Sequence, residues 1–317
     1  MKNILVLHTG GTIAMEEEQG FVKQQNDNPL LRFKLPSNEV HLIVENVFHL
    51  PSPHMTPKEM LQLQQLIDTR NGIDGVVITH GTDTLEETAY FLDLTVQANI
   101  PVVVTGAMRS SNELGSDGLY NFLTAVKVAS SEEAKGKGVL VVLNDEIHCA
   151  TNVTKTHTSN VATFQSPQYG PIGLVTKRGV VFHQAILHRD NYRIHNITKQ
   201  VLLLKAYAGM DSTMLEVIEQ LPVDGLVIEA FGQGNLPPST VPIIKRLLNK
   251  GVSIVLVSRC FNGIAQDVYS YEGGGKQLKE MGVIFTNGLS GQKARIKLLV
   301  ALEVAATPQE LEQMFQH

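Results

Sequence analysis

Two threonines, an aspartate and a lysine stand in this chain where hydroxyl groups can be turned to chemistry. Thr12 closes the run Ile4-Leu5-Val6-Leu7-His8-Thr9-Gly10-Gly11-Thr12, in which an apolar strand runs straight into two glycines. A β-branched residue is a poor turn former. The glycines therefore read as a sharp bend that exposes backbone amides, Gly11 among them, beside the Thr12 hydroxyl. Such amides suit a carboxylate or an oxyanion. Thr82 and Asp83 follow a second strand and glycine turn, Ile78-Thr79-His80-Gly81, and Lys155 lies in the polar run Asn152-Val153-Thr154-Lys155-Thr156. A threonine hydroxyl is a weak nucleophile until a base removes its proton. Lysine can be that base when burial or a nearby cation lowers its pKa, whereas a nearby carboxylate favours the ammonium. An Asp–Lys pair is thus better suited to orienting hydroxyls and relaying protons. Each residue also has a plainer use: a tight turn at Thr12, a helix-dipole partner in Asp83, a solvated lysine at 155. Thr84 reads as the N-cap of the helix that follows.

The elements that would carry these residues alternate strand and helix, which predicts α/β layers. Nearly all-apolar runs at 4–7, 75–79, 101–105 and 139–143 read as parallel strands buried on both faces. Thr56-Pro57-Lys58-Glu59 and Thr84-Leu85-Glu86-Glu87 both match the capping box that opens a helix, and a third helix is expected from about 116 to 129. Two further glycine-containing turns end strands, Thr105-Gly106-Ala107-Met108-Arg109 and Phe231-Gly232-Gln233-Gly234-Asn235. A polar stretch around His188-Arg189-Asp190-Asn191 reads as an interdomain linker. The expected division is therefore an N-terminal α/β domain at 1–185, a linker at 186–200 and a C-terminal α/β domain at 201–317. Strands are expected there at 201–206, 225–230, 253–258 and 283–286, with helices at 212–220, 239–250 and 276–281 and a last capping box at Thr307-Pro308-Gln309-Glu310.

With 43% hydrophobic and 18% charged residues, the 317-residue chain has ordinary globular composition. A net charge of −5 and the lack of a basic run argue against nucleic acid or an anionic membrane as partner. The apolar run behind Met1-Lys2 is too short for a signal peptide, and Cys149 and Cys260 form no CxxC pair; a cytoplasmic location is expected. No HExxH, Walker loop, GxGxxG or His-rich cluster offers a metal or nucleotide site.

Thr-Gly-Gly-Thr-Ile-Ala at 9–14, His-Gly-Thr-Asp-Thr-Leu-Glu-Glu-Thr-Ala at 80–89 and Asn-Val-Thr-Lys-Thr at 152–156 resemble the motifs of bacterial-type L-asparaginases. Gly-Ala-Met-Arg at 106–109, Gly-Gln-Gly-Asn at 232–235 and the 287–295 segment extend the resemblance over almost the whole chain. It implies a two-domain asparaginase fold, with a larger flavodoxin-like N-terminal domain and a smaller C-terminal α/β domain. It implies hydrolysis of the L-asparagine side-chain amide to L-aspartate and ammonia through a threonine acyl-enzyme. The nucleophile maps to Thr12, and Thr82, Asp83 and Lys155 map to the proton-transfer group. Asp83 would also meet the substrate α-amino group, Ser52 its α-carboxylate and the Ala107 backbone its amide. Asn235 would be contributed across an interface between subunits of a homodimer or a homotetramer of intimate dimers. No metal or organic cofactor is implied.

Three departures accompany the resemblance. Phe21 stands where the family carries a loop tyrosine that orients the nucleophile, and phenylalanine cannot donate a hydrogen bond. Pro53 replaces the glutamine that follows Ser52. The glutamate tied to glutaminase side activity has no clear counterpart in 266–272, where Tyr269 or Tyr271 is expected to take its space. These departures predict a strong preference for asparagine over glutamine. Two other functions stay open: a catalytically silent amino-acid-binding regulatory module on the same fold, and an ammonia-releasing subunit of a tRNA-dependent amidotransferase. Cys260 lies near where some cytoplasmic relatives bind an allosteric activator, although a buried structural cysteine is the simpler reading.

Overall fold

Apolar strands of the first half line up as the centre of one large sheet. The computed structural model describes residues 1–18, 21–24 and 39–316, except the side chains of residues 14–16 and 21–24. It divides into two units, Met1–Asn191 and Tyr192–His317. In the first, the elements are β1 (Lys2–His8), β2 (Met15–Glu18), β3 (Phe21–Gln24), β4 (Val40–Asn46), α1 (Pro57–Thr69), β5 (Gly75–Thr79), α2 (Leu85–Thr95) and β6 (Val102–Thr105). They continue with α3 (Gly118–Ala129), β7 (Val139–Leu143), β8 (Glu146–Cys149), β9 (Thr154–Lys155), β10 (Phe164–Gln165), β11 (Gly173–Thr176) and β12 (Gly179–Phe182).

The sheet order is β12-β11-β8-β7-β6-β5-β1-β4. Strands β4, β1, β5, β6 and β7 are parallel, while β8, β11 and β12 extend the sheet by antiparallel pairs. The parallel part reverses its strand order between β1 and β5, and in doubly wound sheets ligands bind in the crevice at the carboxyl ends of such a pair. Ile4, Val6, Val77, Val103, Leu140 and Val142 face one side and pack with Phe122, Ala125 and Val126 of α3. Residues between them on β1 and β5, such as Leu5, Leu7 and Ile78, are equally buried on the opposite face. A strand apolar on both faces is what a covered parallel sheet needs. β7 turns into β8 through Asn144 and Asp145, both at positive φ (51° and 64°), the two-residue turn that matches strand twist.

The second unit holds β13 (Val201–Lys205), α4 (Thr213–Glu219), β14 (Gly225–Ala230), α5 (Val241–Asn249), β15 (Ser253–Ser258), α6 (Gly275–Glu280), β16 (Ile284–Phe285), α7 (Gly291–Val304) and α8 (Pro308–Gln313). Its strands form one parallel sheet in the order β13-β14-β15-β16. Val227, Val255 and Val257 pack with Leu298 of α7 and Leu311 of α8. Leu226, Ile228, Ile254 and Leu256 pack with Leu215, Ile244, Leu247 and Leu278 on the other face.

Of the segment expected as a linker, Arg189 donates to the buried Asp93 carboxylate at 2.9 Å and to the Asp93 carbonyl, and Asn191 donates to the Val96 carbonyl at 2.8 Å. Burial pushes the Asp93 carboxyl up, and the Arg189 guanidinium opposes that shift. No helix among the described residues is long and apolar enough to cross a membrane.

Candidate active site

Three loops at the carboxyl edge of the parallel sheet meet at close range. Gly11 has φ +88°, and a Cβ there would lie 2.4 Å from the Gly81 Cα. A Cβ on Gly81 would in turn lie 2.7 Å from the Ser52 side chain. Only glycine allows these approaches. The contact stacks the turn after β1, the turn after β5 and the 3-10 turn Ser52–His54 against one another. They frame a cleft of about 460 Å³ lined in part by Gly11, Thr12, Ser52, Thr82, Asp83 and Lys155.

Lys155 ties the chemistry together. Its Nζ donates to Thr82 Oγ1 at 2.9 Å and to Asp83 Oδ1 at 2.7 Å. The lysine side chain is 15% exposed and the aspartate 60%, so the ion pair lies where cleft meets solvent. Ser52, which is buried, accepts from the Asp83 amide at 3.2 Å through its hydroxyl oxygen. Its own O–H proton remains available for a ligand.

Beneath the loops, two buried histidines brace the strand ends. His80 Nδ1 lies 2.7 Å from the Gly81 carbonyl, which can only accept, so Nδ1 carries the proton and Nε2 accepts from Thr88 Oγ1 at 2.9 Å. His8 Nδ1 meets Thr79 Oγ1 at 2.6 Å. Burial lowers both imidazoles to a pKa of about 4, the His49 charge adding to the effect at His8. Both are neutral at physiological pH and serve as struts.

The sequence motifs thus converge in part. Gly11, Thr12, Ser52, Thr82, Asp83 and Lys155 share one cleft. Ala107 is fully buried just past β6 and does not itself line it, although Met108 and Ser110 do. Asn235 belongs to the second unit, where its side-chain oxygen accepts from the Gly275 amide at 3.3 Å. Phe21 opens β3 opposite Glu18, and its side chain lies outside the described residues. Tyr269 and Tyr271 pack as a tilted ring pair, 5.6 Å between centroids and 45° between planes, in the second unit, and Cys260 is exposed rather than buried. Among the described residues no group of three His, Cys, Asp or Glu side chains could hold a metal ion.

One expectation fails. Thr84 occupies the N-cap position of α2, but its side chain makes no cap hydrogen bond. It donates instead to the Ser52 carbonyl at 2.8 Å, fastening the Ser52 turn to the Thr82–Asp83 loop. Glu86, given no role of its own in the sequence reading, is buried and accepts from Thr154 Oγ1 at 3.1 Å. A local pattern accounted for Thr84 and gave Glu86 no role, so nothing in the sequence signalled these long-range uses.

Fold and cleft together define the class: an α/β protein whose cleft, lined by hydroxyls, a carboxylate and a lysine, lies at the switch point of a doubly wound sheet. The chain belongs to the asparaginase family. Residues 3–188 match its N-terminal domain ("Asparaginase, N-terminal") and residues 200–315 the "Glutaminase/Asparaginase C-terminal domain". It is similar to a probable L-asparaginase of Deinococcus radiodurans, 40% identical over 99% of this chain and 97% of that protein. It is also similar to an L-asparaginase of Bacillus licheniformis, 37% identical over 95% of each chain. A glutaminase-asparaginase of Pseudomonas aeruginosa is 30% identical over 99% of this chain and 90% of its own length.

Proposed function

We propose that this protein hydrolyses the side-chain amide of L-asparagine to L-aspartate and ammonia. The observation that carries the reading is the pair of hydrogen bonds that Lys155 donates to Thr82 and Asp83 in the cleft that Thr12 also lines. Thr12 Oγ adds to the amide carbon while its proton passes through the Thr82–Lys155–Asp83 group to the departing nitrogen. The C–N bond breaks, ammonia leaves, and the acyl group stays on Thr12 as an ester. Water then adds to the ester carbon, the C–O bond to Thr12 breaks, and the threonine regains its proton.

Lys155 donates to the Thr82 oxygen, which leaves the Thr82 proton to face the substrate and stabilises charge developing on that oxygen. With a carboxylate beside it, the lysine serves as a donor and relay. Amides of the Gly10–Gly11 bend would hold the oxyanion. The unused Ser52 proton suits the substrate α-carboxylate and Asp83 its α-amino group, with the Ala107 backbone toward the amide. Asn235 from a second copy would complete the site in a homodimer or homotetramer. A cytoplasmic location fits two free thiols, Cys149 and Cys260. No metal or cofactor enters these steps.

Ammonia release from L-asparagine by wild type and Thr12→Ala tests the reading. Robust turnover that the mutant loses supports it, and turnover of glutamine well below that of asparagine supports the expected preference. Tight asparagine binding without ammonia would sink it in favour of a regulatory binding module.

A further inference from the structure

Lys155 is placed by a surprisingly slight element. Its strand, β9, is two residues long and pairs only with β10, in a two-stranded sheet separate from the main one. Such a ladder does not hold a side chain to within an ångström by itself. The flanking amides bond as well, Val153 to the Cys149 carbonyl and Thr156 to the Thr163 carbonyl, and a further hold on the strand itself comes from α2. Glu86 Oε1 accepts from Thr154 Oγ1 at 3.1 Å and from the Lys155 backbone amide at 3.5 Å. Glu86 is 5% exposed and stands in the first turn of α2, directly after the loop that carries Thr82 and Asp83. The segment 82–86 therefore grips Lys155 at both ends: Glu86 takes its backbone, while Thr82 and Asp83 take its ammonium.

We infer that Glu86 is a positioning residue, which sets the reach of Lys155 to Thr82 by anchoring the Thr154–Lys155 backbone. The inference rests on the asparaginase reading for its kinetic consequence, but its structural consequence stands without it. A simpler use for Glu86 exists, since an acid in the first turn favours the helix dipole. That use needs only negative charge near the helix end, whereas anchoring needs an acceptor oxygen in the right place. Glutamine separates the two, because it keeps the acceptor and loses the charge.

Glu86→Ala should lower kcat for L-asparagine by about 100-fold, the scale of a 1 Å misplacement in a reacting group, with KM within about threefold of wild type. Glu86→Gln should recover activity to within about fivefold of wild type if the anchor is the oxygen. In a Lys155→Ala background, Glu86→Ala should cost less than about twofold more, since it acts through the lysine. Thr154→Val, a milder change that removes one donor, should lie between wild type and Glu86→Ala. It keeps the test alive should Glu86→Ala fold poorly. Crystal structures of the wild type and the variants read the same point without activity. Lys155 Nζ should lie beyond about 3.5 Å from Thr82 Oγ1 in Glu86→Ala or Thr154→Val, and within bonding range in Glu86→Gln. Retention of the Lys155–Thr82 bond in both Glu86→Ala and Thr154→Val overturns the inference, as does equal loss of activity in Glu86→Ala and Glu86→Gln. A wild type that releases no ammonia would instead remove the asparaginase reading, leaving the crystal structures to decide the role of Glu86.

Discussion

Two helices of the first unit open on the same four-residue pattern and use it differently. At α1, Thr56-Pro57-Lys58-Glu59 forms the reciprocal cap that the pattern predicts: the Thr56 side chain accepts backbone bonds and the Glu59 carboxylate accepts from the Thr56 amide at 2.9 Å. At α2, Thr84-Leu85-Glu86-Glu87 forms no side-chain cap. Thr84 is turned to Ser52 and Glu86 to the Thr154–Lys155 strand. One helix start stabilises itself and the other holds a site together. At Thr84 a local and a long-range partner compete for one hydroxyl, and the long-range partner wins. A perfect local motif is therefore weakest as a guide where its residues also border a ligand.

That contrast can be broken experimentally, because substitutions at α2 should cost activity and substitutions at α1 should cost only stability. Lys155→Ala removes the group that the α2 start exists to hold. It should lower kcat by about 10³-fold, within the range for lost proton-transfer groups, while the thermal midpoint stays within a degree or two. Steady-state ammonia assays beside a melting curve check both halves, and a large fall in melting temperature would blur the contrast.

Next in size is pH. His80 bonds to Thr88 on α2, and α1 has no buried histidine of this kind to lean on. The folded pKa of about 4 lies below the ordinary 6.5 for both His8 and His80. Between those values the unfolded chain binds more protons than the folded one, so stability is complete above about pH 6.5 and falls as pH drops toward 4. Each histidine contributes on the order of 3 kcal/mol to that fall. Urea midpoints at pH 7.5, 6 and 5 should fall steadily, and His80→Gln should flatten the decline. A wild-type curve already flat from pH 7.5 to 5 would show that the imidazoles are charged in the fold.

Smaller effects sharpen the comparison. Thr84→Val cuts the tie to Ser52, and kcat/KM for L-asparagine should fall about tenfold, equal to about 1.4 kcal/mol, with the helix itself little affected. Thr56→Ala should do the reverse, costing about 1 kcal/mol of stability through the lost cap and leaving kcat/KM within experimental error. Should Thr56→Ala reduce activity as much as Thr84→Val, the division of labour between the two helix starts does not exist.

Sequence alone revealed the strands buried on both faces: 75–79, 139–143, 225–230 and 253–258 coincide with β5, β7, β14 and β15. Full burial leaves an unbroken apolar run, and nothing else in a chain of this composition looks like one. Half-covered strands escaped. β4 is interrupted by His41, Glu45 and Asn46 and has no fully buried residue, and β11 alternates buried and exposed residues, so neither reads as a run. The Asn144-Asp145 turn was a hairpin signal that went unused, and with it the antiparallel extension through β8. α7 was seen only as a motif, because Lys293 and Lys297 interrupt its apolar face although both are buried. At the site, residue types and glycine turns were legible, since each motif carries its own chemistry. The ties among motifs were not, because Thr84 to Ser52 and Glu86 to Thr154 join segments that lie 32 and 68 residues apart.

The close stack of Gly11, Gly81 and Ser52 bears on how the cleft can be redesigned. The spacing of its walls is set by the Gly11–Gly81 backbone contact, the Ser52 side chain against Gly81 and the bonds of Ser52 to Asp83 and Thr84. A methyl group at 11 or 81 would wedge the loops apart, so those two positions belong outside any mutational library. Pro53, Met108 and Thr158 line the same cleft without holding its walls together. Variation there changes what the cleft admits while its gauge stays constant, which makes those three the places to tune selectivity between amides of different length.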